Sequence, residues 1–188
     1  MSGHSKWAQI KYKKGATDAK RGKIFSRLSK IITLAAKEFG GDPKTNSKLA
    51  AAIDEARKAN MPNDNILRAI KHASEKESAN LKEVIYEAYG PGGSAVIITA
   101  ITDNSNRTTN EIKHLLFEHG AKLGVEGSAM WAFDRAESPT DIQAGKQAFA
   151  AKFPQSLSPE DSKKFEALLE ALSDHDDVQE VYSNAEVK

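Results

Sequence analysis

Nine of the first thirty residues are Lys or Arg, against a single acid, Asp18. The cations Lys6, Lys11, Lys13, Lys14, Lys20, Arg21, Lys23, Arg27 and Lys30 are interleaved with the aromatics Trp7 and Tyr12. Lys and Arg neutralise phosphates and release counterions, and an aromatic ring can stack on an unpaired base. The pattern therefore suits a tracker of nucleic-acid backbone better than a reader of sequence. Like charges with little apolar surface between them resist ordering, so residues 2–16 are expected to be mobile until phosphates neutralise them. The competing reading is a tail whose Trp7 folds back on its neighbouring helices while the lysines face outward.

Other chemistry-bearing residues are sparser. The glycines of "GPGGS" at 90–94 could converge backbone N–H groups on an anion, but no Lys-Ser/Thr follows and strand-like sequence lies on both sides. The stretch reads as a hairpin turn. In "TDNSNRT", Asp103, Asn104 and Asn106 are cap and turn types. Arg107 falls at the helix start, where the dipole disfavours a cation, which makes Asn104, Asn106 and Arg107 a second candidate anion contact. His114 and His119 are five apart, off a common helical face, and His4, His72 and His175 are isolated. "DHDD" at 174–177 could hold a divalent ion weakly, and a helix-to-strand turn explains it equally well. No Ser-His-Asp or paired-carboxylate arrangement stands out, so neither catalysis, a metal nor a cofactor is expected.

Composition narrows the class. The absence of Cys excludes disulfides, thiolate zinc sites and thiol nucleophiles, and makes a cytoplasmic setting the simplest expectation. No apolar run approaches the roughly 20 residues of a membrane span, and the first thirty residues lack a secretory apolar core. A mitochondrial presequence would be Arg-rich where this segment is Lys-dominated. The net charge of +1 conceals a division: residues 1–72 hold 16 Lys and Arg against 6 acids, and residues 73–188 hold 11 against 20. Such asymmetry points to one half meeting a polyanion while the other does something else.

These residues need elements to position them. Phe25, Leu28, Ile32, Ala35 and Phe39 recur every three or four residues between Thr17 and Phe39, which predicts a helix ended by Gly40-Gly41. A second helix is written from Ser47 to Ala59, carrying Leu49, Ile53 and Ala56. A third runs from Asn63 to Ser74, carrying Ile66, Ile70 and Ala73. All three are one-sided and short, so they must pack together. Beyond "SEKESANLK" the pattern becomes strand, glycine turn, strand, then a helix with Ile112, Leu115 and Leu116 on one side. "GSAMWAFDR" reads as a further strand, "SPEDSKKFEALLEALSDHD" as a helix and "DVQEVYSN" as a last strand, while residues 136–157 read as a helical linker. The expected fold is α+β: an N-terminal three-helix bundle, residues 1–79, then a mixed or antiparallel sheet domain, residues 80–188, with helices packed on one face.

Taken together, "GHSKWAQIKYKKGATDAKRGKIFSRL", "ARKANMPNDNILRAIKHA", "YEAYGPGGSAVIITAITDNSNRTTNEIKHLLFEHGAKLG", "GSAMWAFDR" and "DDVQEVYSNAE" resemble the YebC family, relatives of the mitochondrial translational activator of cytochrome c oxidase. The resemblance covers residues 2–135 and 158–187. It implies a three-helix domain, two α/β domains with one inserted in the other, and a non-enzymatic role. Members have been described as DNA-binding transcriptional regulators, and others as ribosome-associated factors that help translation through difficult stretches such as consecutive prolines. The family's basic opening motif falls on Gly3, His4, Ser5, Lys6, Trp7 and the cluster from Lys11 to Arg27. Its central block falls on Gly90 to Gly93 and Asp103 to Thr108. One departure is large: only 22 residues, 136–157, stand where the inserted domain should lie. The chain therefore resembles a shortened member.

The reading that follows is a non-enzymatic nucleic-acid-binding regulator of gene expression, acting on ribosomal RNA in translation or on DNA in transcription. Its expected contacts are His4, Ser5, Lys6, Trp7, Lys11, Lys13, Lys14, Lys20, Arg21, Lys23 and Arg27, with ribosomal proteins as further partners and no membrane. The acidic half would be repelled by bare duplex DNA, which tilts the expectation toward the ribosome. The alternative is a protein-interaction module whose basic tail binds an acidic partner.

Overall fold

The computed structural model describes residues 3–11, 18–136 and 148–187. Tyr12, Lys13 and Lys14 lie outside the described residues, and for His4, Ser5 and Lys11 only the helical backbone is described. Among the described residues no helix is long and apolar enough to cross a membrane.

A first helix, α1, spans Gly3–Lys11. Helices α2 (Asp18–Phe39), α3 (Ser47–Lys58) and α4 (Asn63–His72) form the bundle, with Leu28, Ile32, Leu49, Ile53 and Ile66 buried in one cluster. Asn46 splices α2 to α3. Its Oδ1 accepts the Leu49 N–H at 3.0 Å, and its Nδ2 donates to the Ala35 and Gly40 carbonyls at 2.8 Å each. One buried amide thus satisfies orphan groups at two helix ends. Gly40 supplies the left-handed residue after α2, at φ +88°. The end of the apolar stripe differs from expectation: Phe39, the last residue of α2, is 59% exposed, with the Lys48 ammonium 4.9 Å from its ring centroid.

The second half builds a four-stranded antiparallel sheet in the order β3-β1-β2-β7. Its strands are β1 (Lys82–Tyr89), β2 (Ala95–Thr102), β3 (Lys122–Leu123) and β7 (Val178–Ser183). The 90–94 turn closes the β1–β2 hairpin as expected, with Gly92 and Gly93 at φ +67° and +76°. β2 is buried along its whole length and serves two cores through strand alternation. Val96, Ile98 and Ala100 meet helices α5 (Ser105–Glu118) and α6 (Pro159–Asp174), where Ile112, Leu116, Phe165 and Leu169 are fully buried. Ala95 and Ile97 face a smaller cluster with Phe133, Phe149 and Tyr182.

Two expected elements change. The strand read over "GSAMWAFDR" begins only at β4 (Phe133–Ala136), because the N–H groups of Gly127, Ala129 and Met130 all donate to the buried Glu87 carboxylate, at 2.6, 2.7 and 2.7 Å. Those donors cannot also serve a ladder. The described part of the expected helical linker holds instead β5 (Ala148–Ala151), antiparallel to β4, and β6 (Gln155–Ser156), parallel to β8 (Ala185–Glu186). Phe149 explains the change. Its ring lies edge-on to Tyr182 at 5.3 Å and to Phe133 at 6.5 Å, so packing on the sheet outweighs the helical preference of its alanine neighbours.

The largest correction concerns α1. It neither trails from the bundle nor joins it, but packs on β7 and α6 of the other domain. Trp7 is 0% exposed and donates its Nε1–H to Glu180 Oε2 at 2.9 Å, while Lys6 pairs with Glu166 at 2.8 Å. A Cβ on Gly3 would fall 2.9 Å from the Ser183 Cβ, so glycine permits this close approach. The described residues 3–11 are therefore an ordered part of the sheet domain, and the Trp7 ring is unavailable for base stacking. Trp7→Ala is expected to cost about 3–5 kcal/mol and to speed amide exchange in β7 and α6, whereas Lys20→Ala should change stability by less than about 0.5 kcal/mol. Unchanged melting and exchange in Trp7→Ala would remove α1 from the core.

Candidate nucleic-acid interface

Helix α2 carries two stripes. Phe25, Leu28, Ile32 and Ala35 face the bundle, and Lys23, Arg27, Lys30 and Lys37, at intervals of four, three and seven, run along another side. All four cations of the second stripe reach across to acceptors outside the bundle. Lys23 Nζ donates to the carboxylate and the carbonyl of Asp174, both at 2.9 Å. Arg27, only 4% exposed, donates to the Ser173 carbonyl. Lys30 donates to the Asp176 carbonyl at 3.1 Å and to the Asp177 carboxylate. Lys37 takes the Ala79 and Leu81 carbonyls at 2.6 and 3.0 Å. The last turn of α6 leaves carbonyls without intrahelical donors at the negative end of its dipole, and Lys23 and Arg27 supply both hydrogen bonds and positive charge there.

Asp177 is the centre of this junction. Its side chain is 3% exposed and accepts from three directions: Lys30 on Oδ1, and Arg107 Nη2 at 2.8 Å and Thr108 Oγ1 at 2.6 Å on Oδ2. Burial acts to raise its pKa, but the hydrogen bonds from Lys30, Thr108 and Arg107 together overcome it and hold the carboxyl at about 2. Asn104 caps α5 as expected, its side chain accepting the Arg107 N–H at 3.2 Å. The anion that Arg107 was expected to meet is the chain's own Asp177, with Asp103 at 3.2 Å and Glu111 at 3.8 Å beside it.

The divalent-ion reading of "DHDD" fits poorly. Glu111, His175 and Asp177 bring their ligand atoms within 4.8 Å of one another. Yet the Asp177 N–H donates to His175 Nδ1 at 3.2 Å, which leaves Nε2 as the protonated nitrogen that donates to Glu111 at 3.1 Å. Two cations already share the Asp177 carboxylate. The ligand atoms that come together here already hold hydrogen bonds or ion pairs within the protein. Beside it opens a cleft of about 910 Å³, lined by Ser26, Ser29 and Thr33 of α2, His114 of α5 and residues 174–177.

The expected contact residues thus divide. Lys6, Trp7, Lys23 and Arg27 are engaged inside the protein. Lys20 and Arg21 stand exposed at the start of α2, where Arg21 has the exposed Asp18 at 3.8 Å, and Asn106 is exposed on α5. The bundle adds cations that the N-terminal count did not single out: Lys58 on α3, and Arg68 and Lys71 one turn apart on α4, all exposed and without an ion pair among the described residues. They were legible as the polar side of amphipathic helices. Asp177 and Glu87 were missed, because their neighbours come from distant segments.

Comparison with known proteins follows the same division. Residues 5–76 match the family model described as the TACO1/YebC protein N-terminal domain, and residues 81–138 and 136–185 match that of the TACO1/YebC second and third domain. A probable transcriptional regulatory protein of Thermoanaerobacter pseudethanolicus is 44% identical over 241 aligned positions, covering 100% of this chain and 98% of that one. One from Pelotomaculum thermopropionicum is 40% identical over 242 positions, with all of both chains covered. The crystal structure of a conserved hypothetical protein from Aquifex aeolicus is similar at a TM-score of 0.86 and 34% identity, over 97% of each chain. Alignments of 241 positions against 188 residues leave internal stretches of the relatives without a counterpart here, and the two pieces of the second match meet at 136–138, beside the short segment.

The Asp177 network carries a pH signature. A carboxyl at about 3.9 when unfolded and about 2 when folded contributes roughly 2–3 kcal/mol, complete above pH 4 and lost as pH falls through 2. Acid titration of melting should show this loss in the wild type, and Asp177→Asn should begin less stable with a shallower slope across that window. Equal slopes would remove Asp177 from the acid transition.

Proposed function

Because this chain belongs to the TACO1/YebC family, we propose that it is a non-enzymatic regulator of gene expression whose helical bundle grips nucleic-acid backbone. The observation that carries this reading is a set of exposed cations away from the domain junction: Lys20, Lys58, Arg68 and Lys71 have no ion pair among the described residues and Arg21 has the exposed Asp18 at 3.8 Å, in a half of the chain, residues 1–72, that holds 16 Lys and Arg against 6 acids. Such side chains meet phosphates without reading sequence. The names of the relatives support a regulatory role rather than an enzymatic one.

Between the two nucleic acids, RNA within the ribosome is the better target. The acidic second half, 20 acids against 11 cations over residues 73–188, opposes a bare duplex but tolerates an assembly in which RNA and basic proteins alternate. Transcriptional control through DNA is the second reading, favoured by the names of the relatives. Co-sedimentation with ribosomes, run beside duplex-DNA binding, separates the two. Paired Lys20→Ala/Arg21→Ala and Arg68→Ala/Lys71→Ala variants should melt like the wild type, yet each should flatten the slope of log affinity against log salt by about 0.7 for every RNA phosphate that is no longer neutralised. Unchanged slopes in both would place the binding surface elsewhere, and the absence of salt-dependent binding to either polymer would reject the reading.

A further inference from the structure

The α2 cations Lys23, Arg27 and Lys30 lie on the same helix as the exposed Lys20 and Arg21, within about 15 Å of helix axis. What covers them is a segment of this chain with the chemistry of a phosphate backbone: a row of carbonyl and carboxylate oxygens from Ser173 to Asp177. Among the described residues no buried apolar cluster spans the junction, although the Arg27 guanidinium lies 6.0 Å from the Trp7 ring centroid. The bundle cluster holds only residues 24–73, and the sheet-domain clusters hold α1 and residues 84–187. The junction is therefore ionic and polar beside an open cleft: its Lys23–Asp174 pair is partly exposed and screened by salt, while Arg27 and Asp177 are buried, so that opening requires an incoming anion to replace the oxygens that Arg27 and Lys30 give up. Asp177 does not depend on the junction staying closed, since Arg107 and Thr108 of its own domain still bind it when Lys30 leaves.

We infer that residues 173–177 act as an internal competitor for nucleic acid: they cover a second phosphate-binding stripe on α2, which a polyanionic backbone uncovers by displacing them and opening the bundle from the sheet domain. The inference rests on the nucleic-acid reading above. Opening places Lys23, Arg27 and Lys30 in line with Lys20 and Arg21, so the exposed pair starts the encounter and the stripe completes it. The near cancellation of the chain's charges, a net +1, then has a use. The acidic half offsets the basic half until a stronger anion arrives.

A 20-nucleotide single-stranded RNA of mixed sequence serves as probe, with the same sequence as duplex DNA beside it. Asp174→Asn/Asp176→Asn replaces two exposed acids of the covering segment and should tighten binding about two- to tenfold relative to Glu126→Gln/Glu186→Gln, which removes the same charge elsewhere. Adding Lys23→Ala to the first variant should abolish the gain. The sequence has no Cys, so spin labels on Ser47→Cys and Phe117→Cys report the bundle-to-sheet distance without background. That distance should lengthen on adding RNA, and in the free protein on raising salt. Binding with neither a differential gain nor a change in distance overturns the competitor while the nucleic-acid reading stands. Failure of the wild type and every variant to bind either polymer overturns that reading and this inference with it.

Discussion

The bundle and the sheet are held together by cations of one helix set against the oxygen-rich end of another. Lys23, Arg27 and Lys30 of α2 meet residues 173–177 at the end of α6, and Asp177 gathers Lys30, Arg107 and Thr108 around a single carboxylate. The physical constraint is the end of α6, whose last carbonyls lack donors and whose dipole is negative. Cations are the groups that answer both needs at once. The position of α2, the shape of the cleft beside it and the set of charges left for outside partners all follow from that junction.

Helix α1 adds a second, apolar tie. It precedes the bundle in the chain yet belongs to the sheet domain in space, because Trp7 finds its burial among Phe165 and the strands and its N–H finds Glu180. Arg27 lies 6.0 Å from the Trp7 ring centroid, so the ionic junction and the aromatic anchor meet at one place. The opening motif of the chain therefore works first as structure: Gly3 for close approach, Lys6 for Glu166, Trp7 for the core. The cations left exposed lie further along the chain, from Lys20 onward.

On the opposite face of the sheet, Glu87 organises the loop that leads into β4 by accepting three backbone N–H groups. That loop and the β4–β5 pair cover the face where Ile97 and Tyr182 are buried. The short segment between β4 and β5 is where the match to the family's second and third domains divides, so the shortened region is attached to a face that this small cluster already closes.

Helices α2 to α4, the β1–β2 hairpin, α5 and α6 were legible from sequence because their signals are local. Apolar spacing, the caps Asn104 and Ser158, and the glycine turn each act within a few residues. The family, too, was readable from contiguous blocks. What the sequence alone could not decide is where each charge ends. A lysine facing phosphate and a lysine facing Asp174 have the same neighbours in the chain, and 151 residues separate Lys23 from its partner. The same holds for Trp7, which composition places in a charged tail and tertiary packing places in a core, because the apolar surface that buries it comes from β7 and α6. Local chemistry determines which elements form, and only the fold determines which of their charges are already satisfied.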